Sequence, residues 1–227
     1  MCCGGTGDGE TPRCPWAPAC LTPLVARADT DAMEQEARLQ PESRAAWRAW
    51  LEEHHSNASG VWLVTWRART GRPTVPYEEA VQEALCFGSI DGRTGRFDDE
   101  RTMVRFSPRR PGSVWARSNK ERVARLEAAG MMTDAGRRIV DAARSDGSWT
   151  RLDAAEAMLV PDDLALALAA RPGAREHFDE YSASARKSVL GWIALAKRPE
   201  TRAWRIARAA EVAERGDRAA TLWQRGD

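Results

Sequence analysis

Lysine is nearly missing from this chain. Only Lys120, Lys187 and Lys197 occur, so the remaining 31 of its 34 basic residues are arginines. Neither sign of charge is in excess: 33 acidic residues leave a formal net charge of +1. That balance removes the global field that would gather DNA or an acidic membrane, so any anion site must be local. Tyrosine is scarce as well, two against ten tryptophans, and each buried indole N–H needs an acceptor. No apolar run approaches the roughly 20 residues that cross a bilayer, which argues against membrane insertion. The first residues also lack the basic-then-apolar order of a secretory signal. A cytoplasmic protein is expected.

Cysteine is almost confined to one place. Cys2, Cys3, Cys14 and Cys20 lie in the leader MCCGGTGDGETPRCPWAPACLTPLVARAD, and only Cys86 lies in patterned sequence. The leader spacings fit neither a paired zinc arrangement nor a disulfide framework, so no metal is expected. Residues 1–40 read as a disordered leader, and 1–32 as an extension upstream of a natural start at Met33.

Enough chain is present for one large domain or two modest ones, each with a core. PESRAAWRAWLEEHH, residues 41–55, predicts an amphipathic helix with Trp47 and Leu51 on one face. VWLVTWRA, 61–68, alternates as a strand that is apolar on both faces. A helix from about Tyr77 to Leu85 buries Ala80, Val81, Ala84 and Leu85. CFGSIDGRTGRFDDERTMVRFSP then reads as a hairpin joined across Gly88, Gly92 and Gly95. Ser118 and Glu121 have capping-box spacing, and Thr133 begins a further helix that stops at Gly147.

From there the pattern is helical, with starts near Pro161 and Pro199. The expected fold is α+β. An α+β segment over 41–150, with a small, mostly antiparallel sheet and flanking helices, precedes an all-helical segment over 158–216, and 217–227 form a frayed tail.

The run FSPRRPGSVW, residues 106–115, carries the main candidate chemistry. Pro108 and Pro111 restrict the backbone around Arg109 and Arg110, whose guanidinium forks grip carboxylate or phosphate. Ser113 adds a hydroxyl, Trp115 a wall, and the helix beginning near Asn119 offers backbone N–H groups. The competing structural reading pairs both arginines with the acids of DDER, Asp98 to Glu100, or with Asp91 of DGR, while Trp115 anchors the loop in the core. The arginine-rich background weakens any claim from a single Arg pair.

The acidic residues around Asp91 are explained by turn chemistry. Cys86, set among Leu85 and Phe87, reads as a buried thiol. The three histidines have no partner at ligand spacing, so neither a cofactor nor a metal is implied.

VWLVTWRARTGRPTVPYEEAVQEALCFGSIDGR, then FSPRRPGSVWARSNKERVARLEAAGMMTDAGRRIVDAARSDGSW, then VPDDLALALAARPGAREHFDEYSASARKSVLGWIALAKRPETRAWRIARA, resembles the YdeI/OmpD-associated family of bacterial proteins. The resemblance runs over about residues 45–216. It implies a cytoplasmic protein linked to envelope stress, with relatives connected to resistance against cationic antimicrobial peptides and bacteriocins, and it carries no catalytic residues. Where the family usually has CFGWID, this chain has Ser89, which implies a more open or more polar pocket.

The expected function is non-enzymatic stress protection, by binding a small anionic ligand or a protein partner through loop 107–119. Asp91, Arg109, Arg110, Ser113, Trp115 and Asn119 are its candidate ligand-binding residues. The alternative is an enzyme acting on a phosphate- or carboxylate-bearing metabolite with Asp91 as base. Nucleic-acid binding through the tryptophans is a third, disfavoured by the neutral charge.

Overall fold

A computed structural model of the chain describes residues 37–223. The readings of residues 1–36 and 224–227 lie outside the described residues. The sheet starts inside the stretch read as leader: β1, Arg38–Leu39, pairs in parallel with β2, Val61–Trp66. Between them runs α1, Arg44–His54. Its N-cap is Ser43, whose hydroxyl accepts from the Ala46 N–H at 3.2 Å, a bond that proline cannot supply. Trp47 and Leu51 enter the core, and the Trp47 indole donates to the Ala80 carbonyl at 3.1 Å.

The first four residues of β2 are all buried, because the strand lies inside the sheet with side chains covered on both faces. Next come α2, Tyr77–Cys86, then β3, Ser89–Arg96, and β4, Arg101–Pro108. The strand order is β1-β2-β4-β3. The sheet is mixed rather than mostly antiparallel: β2–β4 and β3–β4 are antiparallel, β1–β2 parallel. An intervening helix is the connection that a parallel pair requires.

The hairpin turns through Phe97 to Glu100 and not through its glycines. Asp98 closes it by accepting from the Glu100 and Arg101 N–H groups at 3.0 and 2.7 Å. Gly92 sits instead where the β3 register shifts, between Asp91 and Thr94.

Two further helices, α3 (Arg117–Ala128) and α4 (Asp134–Ser145), pack on the sheet domain. Thr133 caps α4 as expected. Gly136 is required there, since a Cβ would stand 2.3 Å from the Cys86 carbonyl oxygen. Then follow α5 (Asp153–Glu156), α6 (Asp162–Ala169), α7 (Ala174–Glu180), α8 (Ala183–Ala194) and α9 (Pro199–Glu214).

Two hydrophobic cores result, one from Trp47 to Ala143 and one from Ala155 to Leu222. The reading of 217–227 as frayed is corrected over Ala219–Trp223, a 3-10 turn whose Ala219 and Leu222 are taken into the second core. Among the described residues, no helix is long and apolar enough to cross a membrane.

Candidate functional site

β4 ends at Pro108, and the Arg109 N–H donates to the Gly88 carbonyl at 3.0 Å. This bond fastens the start of the loop to the α2–β3 turn. Pro111 and Gly112 then reverse the chain, closed by Ser113 N–H to the Arg110 carbonyl at 3.1 Å, with Gly112 at φ +71°. Proline followed by a residue of positive φ is the order a type II turn demands. Trp115 is fully buried, 4.9 Å from the Trp149 ring.

The capping expected from Ser118 and Glu121 is corrected: α3 begins after Ala116 with no side-chain cap. The Arg117 N–H instead donates to Glu156 at 2.8 Å. A carboxylate of the protein already occupies this helix start, as the exposed N–H groups and helix dipole favour.

Arg109 faces neither solvent nor the hairpin acids. Asp98 is held by Arg101 at 2.6 Å, Asp99 by Arg96, and Glu100 by Arg72 at 3.8 Å, so the pairing expected with these three acids is corrected, while Asp91, the other acid of that reading, attracts Arg109 through its charge. The Arg109 residue is only 7% exposed, and its guanidinium lies 3.7 Å over the Trp115 ring. Nη2 donates to the Val114 carbonyl at 2.8 Å, while the buried Nε has no partner. Burial pushes the Arg109 pKa down to about 10, with the Asp91 charge pulling partly the other way. A buried cation without a bonded carboxylate is costly. Arg110 is exposed and has no ion pair with another described residue.

Beneath the loop lies a cavity of about 60 Å³, whose lining includes Arg109, Arg110, Ser113, Trp115, Asp146 and Ser148. Asp146 and Ser148 come from the turn after α4. The Ser148 N–H donates to Asp146 Oδ1 at 2.8 Å. The Asp146 carboxyl is held below the ordinary range first by the nearby Ser148 hydroxyl, then by backbone N–H groups including that of Gly112. Ser148 is 0% exposed, and its hydroxyl makes no hydrogen bond of ordinary geometry although it lies near enough to Asp146 to hold that carboxyl down.

The six candidate residues divide between two places. Arg109, Arg110, Ser113 and Trp115 line the cavity. Asp91 and Asn119 belong to a ledge where α2, β3 and α3 meet. Asp91 accepts from the Tyr77 hydroxyl at 2.5 Å. The phenol pKa is pushed up to about 12, by burial first and then by Asp91. Asn119 accepts from Arg122 at 2.8 Å, and Arg122 clamps Glu78 at 2.6 Å, holding that carboxyl down at about 2. Asp91 reaches Arg109 through its charge alone.

Sequence reasoning missed Tyr77, Arg122, Asp146 and Ser148. Only the last two carried a signal, since Asp-Gly-Ser is a turn sequence in which aspartate accepts from the N–H two residues on. The opening expected beside Ser89 is also corrected: Ser89 is buried, and the space next to it is about 10 Å³, enough for about one water. Burial pushes the Cys86 thiol up to about 11, and the Glu83 charge adds to this. Among the described residues, no group of three or more His, Cys, Asp or Glu could hold a metal ion.

Residues 157–216 match the family described as "Bacteriocin-protection, YdeI or OmpD-Associated". Residues 39–139 match a separate domain of unknown function (DUF8412). The single resemblance over 45–216 thus divides into two consecutive modules, with the cavity loop in the first. No curated protein and no solved structure matches the chain.

Proposed function

Starting from a chain whose residues 157–216 belong to the YdeI/OmpD-associated family, we propose a cytoplasmic stress-protection protein that acts by binding a small anion under loop 107–119. The two modules divide the work: the α+β module over 41–150 holds the ligand, and the helical module over 158–216 carries the protective role named in the family's description.

One observation carries the binding reading. Arg109 is a buried cation with a free Nε donor, placed on a cavity and lacking any carboxylate bonded to it. A bound anion would supply the missing counter-charge, and a charge-assisted hydrogen bond is among the strongest available in such a setting. Arg110 at the rim supplies attraction during approach, and Trp115 holds the Arg109 fork in place. Catalysis by Asp91 has less support, because Asp91 is bonded to Tyr77 on the ledge and is not among the cavity's lining residues.

The test is thermal unfolding of the full chain with added sodium acetate, phosphate or sulfate at matched ionic strength. At least one anion should raise Tm in the native sequence, as binding to the folded state must. Arg109→Met should abolish the rise. No rise with any anion, or an equal rise in the variant, would refute the reading.

A further inference from the structure

We infer that the anion accepted by this cavity is a carboxylate, the terminal group of a small organic acid or of a peptide, rather than a phosphate or sulfate; the inference rests on the reading of the cavity as an anion site.

Size sets the first limit. A water needs about 10–15 Å³ of such space, so a cavity of about 60 Å³ takes roughly four or five non-hydrogen atoms. That admits a carboxylate with one or two carbons behind it, or a bare tetrahedral oxyanion. Neither a whole nucleotide nor a whole peptide can enter, so only a terminal group is held inside.

The supply of donors decides between the remaining two. Sites for tetrahedral oxyanions draw on convergent backbone N–H groups, as at phosphate-binding loops and helix starts. Here those groups are largely spent inside the protein. The Arg109 N–H goes to Gly88, the Ser113 N–H to Arg110, and the Ser148 N–H to Asp146. Pro111 has none, and the start of α3 is taken by Glu156.

One buried side-chain donor remains uncommitted, Arg109 Nε; the Ser148 hydroxyl is turned to Asp146. Because Trp115 covers one face of the guanidinium, a ligand meets it in its own plane. A flat anion with two oxygens suits that edge.

Charge points the same way. Asp146 lines the same cavity and stays ionised, its carboxyl held below the ordinary range. Attraction to Arg109 and repulsion from Asp146 both scale with the ligand's charge, but the cost of taking the ligand out of water grows faster than its charge, which favours a monoanion in this small cavity.

The experiment titrates the full chain with sodium acetate, and separately with inorganic phosphate and sulfate, at pH 7.5 and constant ionic strength, following Tm. Acetate at about ten times its Kd should raise Tm by about 3–5 °C, while phosphate and sulfate leave it unchanged. Arg109→Met should remove the acetate shift. Arg109→Gln serves as a second variant should the methionine disturb the fold, which circular dichroism would show.

If phosphate or sulfate raises Tm through Arg109 and acetate does not, the carboxylate assignment is overturned and the anion site survives. If no anion raises Tm, or the rise persists in both Arg109 variants, both are overturned.

Discussion

Among the described residues, Glu83 and Arg109 are the two buried charged residues, and the protein treats them in opposite ways. Between α1 and α2, Glu83 is 1% exposed and is held by Arg44 at 2.5 Å and Arg48 at 2.8 Å. Under loop 107–119, Arg109 is nearly as buried but is bonded only to a carbonyl. The titration of the two arginines records the difference. Burial opposes the Arg48 charge, yet the Glu83 hydrogen bond and charge outweigh it and the pKa is raised; for Arg109 burial wins and the pKa falls. A closed charge cluster joins two helices, whereas the open one lacks a bonded counter-charge, which is the basis of the proposed anion site.

The largest expected effect tests the closed cluster. Glu83→Ala strands two guanidinium groups against the core and should cost about 3–5 kcal/mol in urea unfolding. A loss below about 1 kcal/mol would show that water satisfies both arginines and that the cluster holds nothing together. Arg109→Met should behave differently, changing stability by less than about 1 kcal/mol, because relief of the buried charge offsets the lost contact with Trp115. Should it cost as much as Glu83→Ala, Arg109 is a staple and the contrast between the two places collapses.

Smaller effects concern the ledge. Glu78 has a folded-state pKa of about 2, below its ordinary 4.5. The stability it contributes is therefore complete above pH 4.5 and is lost as pH falls toward 2. Glu78→Gln should flatten that acid limb only slightly, because the pair with Arg122 is partly exposed and water screens it. An unchanged acid limb would mean that solvent cancels the pair.

Tyr77 should ionise near pH 12 in ultraviolet titration, and Asp91→Asn should bring it back toward its ordinary 10. The smallest change is expected from Arg110→Ala. Its stability should stay within about 0.5 kcal/mol of the parent, since the side chain is exposed and unpaired among the described residues.

Periodicity made most of the fold legible. Trp47 with Leu51 and the stripe Ala80, Val81, Ala84, Leu85 are buried where a helical period places them, and β2 is covered on both faces. What pattern could not reveal was pairing. Two residues at Arg38 and Leu39 are too few to show a period, so the parallel edge that makes the sheet mixed was invisible. The start of α3 was misread for a related reason. Capping-box spacing is a local rule, and the group that meets this helix start is Glu156, 39 residues away.

In the loop, the sequence by itself established two arginines restricted by flanking prolines, and a tryptophan that could either wall a site or anchor the loop in the core. Those properties belong to single residues and their neighbours. Whether the arginines would find acids was a tertiary matter: the hairpin acids are held by Arg96 and Arg101, which are nearer to them in sequence, and by Arg72, which is farther. Folding left Arg109 over Trp115 and brought Asp146 and Ser148 to the same cavity from the far end of α4. Local chain chemistry can prepare a donor, but only long-range packing decides what lies opposite it, since electrostatic partners are chosen by distance in space.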